Sequence, residues 1–182
     1  MCGMSAPVTV ILFGATGDLA KRKLIPGLLH LFQSRLLDDL RVVATSLDAL
    51  SLDEFKDLAL KAIREHSTRT LKDEDWQAFA QRLDYVPIAA GPEALRDAVL
   101  RSEEELPGDN ELRLHYLSVP PKAALAAVDT IAKADLVDRS RIIMEKPFGT
   151  DYLSSRALNK QLHEVFDEAQ IFRIDHFLGK EA

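Results

Sequence analysis

Val8-Thr9-Val10-Ile11-Leu12-Phe13 runs directly into Gly14-Ala15-Thr16-Gly17-Asp18-Leu19-Ala20. The first six residues are apolar or β-branched, the composition of a strand buried on both faces. The glycine-containing turn after them opens a stretch, residues 19–32, in which Leu19, Leu24, Leu28, Leu29 and Leu31 fall on or near one helical face. Strand, tight glycine turn and helix in that order make the first βα unit of a dinucleotide-binding sheet. The glycines let the backbone approach a pyrophosphate, and the helix start presents oriented N–H donors to it. The spacing here is G-x-x-G-x-x-A, with small residues at Gly17 and Ala20 that permit close helix–strand packing, and Thr16 adds a hydroxyl. The same two glycines also suit an ordinary βα turn, so the weight comes from the position of the turn at the first strand of a longer alternating pattern. Pro26 lies inside the helical stretch and is expected to kink or reset it.

That alternating pattern extends along the chain. Arg41-Val42-Val43-Ala44-Thr45 reads as the second strand. Ser51 with Glu54 three residues on forms a capping-box pattern that starts a helix running to about Arg64. Residues 72–81 form a short helix, and Tyr85-Val86-Pro87-Ile88 a weak third strand whose proline suits an edge. Residues 92–105 are helical; residues 112–119 alternate as a fourth strand; a helix opened by Pro121 runs to 134. Residues 141–145, 152–166 and 170–173 complete a strand, a helix and a sixth strand. The expected fold is α/β: a Rossmann-like, doubly wound, mostly parallel six-stranded sheet with helices on both faces. Residues 1–7 are a tail and 8–182 the domain. The acidic run Glu103-Glu104-Glu105-Leu106-Pro107-Gly108-Asp109-Asn110 reads as a solvated loop.

Composition narrows the function. A net charge of −6 argues against a general nucleic-acid or anionic-membrane binder, so any phosphate site must be a local basic cluster. The single cysteine, Cys2, excludes a disulfide framework and a cysteine metal site. No apolar run approaches the ~18 residues of a membrane span, and the N-terminus lacks a signal-peptide pattern. The expected compartment is cytoplasmic.

Two further segments carry chemistry. Met144-Glu145-Lys146-Pro147-Phe148-Gly149 ends the fifth strand, where ligands of such sheets collect. Pro147 holds Lys146 extended, and the ammonium is placed to meet a substrate hydroxyl or a cofactor. Val119-Pro120-Pro121 ends the fourth strand in the same manner and is expected to shape the nicotinamide side. At the end of the chain, Arg173-Ile174-Asp175-His176-Phe177-Leu178-Gly179-Lys180-Glu181 gathers acid, base and donor groups suited to a phosphorylated, polyhydroxylated substrate.

With GATGDLAKRK at 14–23, EKPFG at 145–149 and RIDHFLGKE at 173–181, in that order, the chain resembles the glucose-6-phosphate dehydrogenases. The resemblance implies the N-terminal NAD(P)-binding domain of a longer enzyme that oxidises glucose 6-phosphate at C1 to the lactone, with hydride passing to NADP, or alternatively to NAD or both. It assigns Gly14, Ala15, Thr16, Gly17, Asp18, Leu19 and Lys21 to the cofactor pyrophosphate. It gives Lys146 to substrate and cofactor, His176 and Lys180 to the sugar phosphate, and Asp175 a supporting catalytic role. It places the general base on a His of a second domain, unmatched by His30, His66, His115 or His163. It further implies a homodimeric or homotetrameric parent, so a chain of this length is expected to be a fragment that binds cofactor without turnover.

Three positions depart from the family pattern. Thr45 stands where an Arg is expected for the 2′-phosphate of NADP, with Asp48 nearby to accept from a ribose hydroxyl. Ala124 replaces an aromatic, and Phe177 a Tyr. The alternatives are another sugar dehydrogenase carrying Glu-Lys-Pro after its fifth strand, which would lack the 173–181 block, and a non-catalytic nucleotide-binding module of the same fold.

Overall fold

The apolar run Val8–Phe13 forms β1 at the centre of a sheet, and its alternation decides which layer each residue joins. Val8, Val10 and Leu12 face one core, while Ile11 and Phe13 face the other. The computed structural model describes residues 7–37, 39–108, 112–148 and 150–174. Strands β2 (Leu40–Ser46), β3 (Leu83–Pro87), β4 (Leu112–Leu117), β5 (Ser140–Glu145) and β6 (Ile171–Ile174) join β1 in one sheet, in the order β3-β2-β1-β4-β5-β6. Every described pairing is parallel. The chain reverses its direction of travel across the sheet between β1 and β4, so their C-terminal ends flank the switch point where such sheets bind ligands.

Helices α1 (Ile25–Gln33), α2 (Leu52–His66) and α3 (Asp73–Ala80) bury Ile25, Leu29, Phe55, Ala59, Ile63 and Phe79 against one face. Helices α4 (Gly91–Glu104), α5 (Pro121–Lys133) and α6 (Tyr152–Val165) cover the other. Local signals read in the sequence have direct structural counterparts. Ser51 and Glu54 form a complete capping box, and Pro87, which has no N–H to give a neighbour, ends the outermost strand.

The helix expected over residues 19–32 is broken in its character. Ala20–Leu24 is a π-helical turn, closed by the Ile25 N–H donating to the Ala20 carbonyl five residues back. Pro26 cannot donate to Arg22 and its ring would press on that carbonyl. The widened turn relieves the clash, and Pro26 then serves in the first turn of α1.

Strand β4 departs from the usual polar-out pattern. Arg113 and His115 are buried on the α4–α6 side with Leu117, while Leu112, Leu114 and Tyr116 on the other face are only partly covered. Beside them lies an apolar groove of about 420 Å³ lined by Leu24, Leu28, Leu31, Leu114, Tyr116 and Ile143. Burying Arg113 requires a partner, and Glu103 supplies it with a two-pronged bond: Nε to Oε1 at 2.6 Å and Nη2 to Oε2 at 2.9 Å. This corrects the reading of the acidic run as a solvated loop. Glu103 and Glu104 belong to α4, and Glu103 is buried because its carboxylate neutralises an interior guanidinium.

His115 is fully enclosed between Phe13 and Phe166, with Nε2 at 2.9 Å from the Leu136 carbonyl. Burial, reinforced by the Arg113 charge, lowers its pKa to about 4, partly opposed by the Leu136 bond. The imidazole is therefore neutral and donates to Leu136.

Two outcomes follow. Glu103→Gln takes from the buried Arg113 the carboxylate that grips it with two bonds and should cost about 3–5 kcal/mol in denaturant unfolding. The unfolded state binds a proton at His115 near pH 6.5 and the folded state only near pH 4. Stability should thus fall by roughly 3 kcal/mol as pH drops through that window, and unfolding titrations of His115→Leu should lack this component of the slope.

Candidate dinucleotide-binding site

The C-terminal end of β1 is shaped by a contact that admits no side chain. Gly14 adopts φ +75°, and a Cβ placed on it would lie 2.0 Å from the Ser118 carbonyl oxygen at the end of β4. The two strand ends are tied by the Ser118 N–H donating to the Phe13 carbonyl at 3.0 Å. Gly17 sits almost as tightly, its virtual Cβ 3.1 Å from the Gly14 oxygen, which its own N–H bonds at 2.9 Å. From residue 18 the chain is helical through to residue 33. Ala15 and Ala20 are fully buried, so the helix lies close on the sheet as their small size allows. Gly14 to Leu19 thus form one compact turn at the switch point, with Lys21 half-buried one turn further along. Arg22 is bonded to Asp18 at 2.8 Å.

The turn is locked to β2 through the backbone of Thr45, whose carbonyl accepts from both Gly14 N–H (2.9 Å) and Ala15 N–H (3.2 Å). The Thr45 side chain is only 1% exposed, closed in the sheet between β1 and β3. It does not reach the surface where a phosphate would sit, so the expectation that Thr45 contacts the cofactor through its side chain is not met by this geometry. Alternation along the strand end hands that place to the next residues. Leu47 is 89% exposed, and the Asp48 carboxylate accepts from the Thr16 hydroxyl at 2.5 Å. Thr16 is therefore engaged with Asp48 rather than projecting alone into the turn.

Tyr85, read in the sequence only as a strand residue, proves to anchor this corner. Its ring stacks on Phe55 at 4.9 Å, and its hydroxyl donates to the Asp48 carbonyl at 2.6 Å while meeting Ser46 Oγ at 2.6 Å. Burial raises the Tyr85 pKa, and the nearby Asp48 charge adds to the effect. A tyrosine on the strand beside β2 with a hydroxyl-bearing residue at the β2 end was the available signal.

At the end of β5, Tyr116 donates to the Glu145 carboxylate. Desolvation and then this bond raise the Tyr116 pKa, keeping the phenol a donor. Lys146 is exposed, the Lys146-Pro147 peptide is cis, and the Lys146 N–H donates to the Ile174 carbonyl at 3.1 Å. Lys146, Pro147, Glu145, Ser118, Val119 and Leu19 line a cleft of about 200 Å³. The cleft brings the first-turn, fourth-strand and fifth-strand motifs to one place. Ala124, at the position of the family's aromatic, lies on the buried face of α5. Arg173 is held by Glu168 at 3.0 Å and Asn159 at 2.8 Å. Asp175, His176, Phe177 and Lys180 lie outside the described residues.

A nicotinamide dinucleotide fits these residues on the evidence of the glycine contact. The pyrophosphate needs a turn whose backbone is bare of side chains at a helix start; among the described glycines, Gly14 has its Cβ space filled by other backbone and Gly17 is tightly approached by it. Among the described residues no group of three or more His, Cys, Asp or Glu is arranged to hold a metal ion.

Comparison with known proteins agrees with this geometry. Residues 11–182 match the family described as glucose-6-phosphate dehydrogenase, NAD binding domain. The glucose-6-phosphate 1-dehydrogenase of Rhizobium meliloti is 38% identical over 178 residues, covering 96% of this chain and 36% of that protein. The Streptococcus pneumoniae enzyme is 37% identical, covering 98% and 37%. Among solved structures, the Mycobacterium avium glucose-6-phosphate 1-dehydrogenase superposes with a TM-score of 0.79 at 35% identity, over 96% of this chain and 37% of that one. A glucose-6-phosphate dehydrogenase in complex with its substrate superposes with a TM-score of 0.81 at 26% identity, over 97% and 38%. The chain thus spans little more than a third of the relatives it matches. With a switch-point turn closed by Gly14, a Glu-Lys-Pro at the end of β5 and this match from residue 11 onward, the chain belongs to the glucose-6-phosphate dehydrogenase family, as its NAD binding domain.

Proposed function

We propose that this chain is the nicotinamide-dinucleotide-binding part of an enzyme that oxidises glucose 6-phosphate at C1 to the 6-phosphogluconolactone, with NADP or NAD as hydride acceptor. The observation that carries the reading is the tight glycine turn at the switch point, where Gly14 packs on the Ser118 carbonyl with no room for a side chain and the chain passes directly into a helix start, the place where such sheets bind a pyrophosphate. When bound, the nicotinamide supplies the hydride-accepting carbon. The backbone N–H groups of the turn and helix start other than those of Gly14, Ala15 and Gly17, which are bonded within the chain, hold the pyrophosphate, with Lys21 adding charge. Val119 and Pro147 wall the cleft, and the Lys146 ammonium at its mouth orients a sugar hydroxyl. Asp175, His176 and Lys180 complete the sugar-phosphate side in this reading.

Oxidation at C1 also needs an acceptor for the hydroxyl proton. His30, His66, His115 and His163 do not line the cleft, and His115 is neutral and enclosed. This supports a base carried by a further domain, as does a chain covering 36% of a relative. The longer protein is read as a cytoplasmic homodimer or homotetramer that engages neither nucleic acid nor membrane. This chain's net charge of −6 speaks against a nucleic-acid or anionic-membrane partner, and a relative from Arabidopsis thaliana that is named cytoplasmic and is 33% identical supports the compartment. No described helix is long and apolar enough to cross a membrane.

Calorimetric titration of the 182-residue chain should show binding of a nicotinamide dinucleotide, and a coupled assay with glucose 6-phosphate should show no turnover. Failure to bind either dinucleotide, or robust turnover by this chain, would overturn the reading. Gly14→Ala must force strand ends apart and strain a positive φ. It should abolish detectable binding and lower stability by about 1–3 kcal/mol, read by circular dichroism in denaturant.

A further inference from the structure

Dinucleotide-binding sheets take up the adenosine ribose along the end of their second strand, where an acid accepts from the 2′-hydroxyl of NAD or a cation meets the 2′-phosphate of NADP. The corresponding segment here is Ser46-Leu47-Asp48-Ala49-Leu50, which contains no Lys or Arg. Leu47 projects into solvent with no donor to offer. On the adjoining helix, Arg22 is bonded to Asp18, and Lys23 borders the apolar groove beside α1.

Asp48, by contrast, is held in place from three directions. Its N–H donates to Ser46 Oγ at 3.2 Å, its carbonyl accepts from the Tyr85 hydroxyl at 2.6 Å, and its Oδ2 accepts from Thr16 at 2.5 Å. With Tyr85 donating to the carbonyl, the Ser46 hydroxyl donates to Tyr85, and its 3.5 Å separation from Asp48 Oδ2 is too long for a useful bond. Both hydroxyl contacts to the carboxylate thus fall on Oδ2, and among the described residues Oδ1 accepts no hydrogen bond.

We propose that Asp48 is the residue that sets dinucleotide preference in this domain, and that it sets it toward NAD. The inference rests on the dinucleotide-binding reading above and deepens it. A ribose 2′-hydroxyl donates to Asp48 Oδ1. A 2′-phosphate has no proton to give at neutral pH and brings a second negative group against a carboxylate that Thr16 holds directly, on a backbone that Ser46 and Tyr85 fix. The repulsion is electrostatic and weakens with salt. NADP remains a ligand through its pyrophosphate, but the weaker one. The same geometry relocates the cation that an NADP site would use. An Arg at the buried position 45 has nowhere to extend, whereas one at position 47 reaches solvent directly beside Asp48.

Titration of the 182-residue chain with NAD and with NADP at low ionic strength tests this. The wild-type chain should bind NAD at least about tenfold more tightly than NADP. Asp48→Asn keeps an acceptor for Thr16 and removes the charge; it should shrink that ratio about tenfold, chiefly by tightening NADP. Leu47→Arg should tighten NADP and leave NAD little changed. Equal or tighter binding of NADP by the wild-type chain, or an unchanged ratio in Asp48→Asn while both dinucleotides bind, would overturn the assignment of Asp48 and leave the proposed function standing. Loss of binding to both dinucleotides in the wild-type chain would overturn both.

Discussion

A single close approach organises the ligand-binding end of this domain. The Ser118 carbonyl occupies the space where a side chain on residue 14 would begin. That contact exists because β1 and β4 are adjacent parallel strands whose ends are hydrogen-bonded together. With no side chain possible there, the backbone turns sharply through Gly14 and delivers the next residues into a helix start. The two carbonyl bonds from Thr45 then fix the turn against β2. Remove the glycine and the sheet, the turn and the helix entry can no longer be satisfied together.

From that turn, order spreads outward by hydrogen bonds rather than by packing. Thr16 reaches Asp48, Asp48 is carried by Ser46 and Tyr85, and Tyr85 is seated on Phe55 in the core. The rim of the site is thus coupled to the hydrophobic layer beneath α2 through one aromatic ring. On the opposite side of the switch point, Tyr116 and Glu145 play a similar part. A phenol kept protonated by burial holds the carboxylate next to Lys146 in the chain. Both corners use a tyrosine because its ring stabilises through burial while its hydroxyl still reaches the polar edge.

Much of this was readable from residue order. The unbroken run Val8 to Phe13 could only be a strand covered on both sides, and Ser51 with Glu54 and Pro87 at the outer strand announced a helix start and a sheet edge. What was hidden depended on contacts between distant segments. Glu103 belongs by composition to a solvent-facing charge run; only the arrival of Arg113 ten residues later, from a strand that presents its polar residues inward, draws it inside. Thr45 aligned with a phosphate-binding position, but one residue of strand alternation decides between core and rim, and that phase is set by pairing with β1 and β3. The π-helical turn was signalled by Pro26 only as a disturbance, because proline shows where a helix must yield and not how.

The buried pair of Arg113 and Glu103 has a consequence for how sequences of this fold can diverge. Losing either residue alone is expected to be costly, since removing one partner of a buried ion pair costs far more than the pair contributes. Joint replacement by well-packed apolar residues, however, is often neutral or stabilising. The two positions therefore behave as one inherited character. Natural variants are expected to keep both charges or lose both, with single-change intermediates passing through a stability valley whose depth is the coupling energy between them.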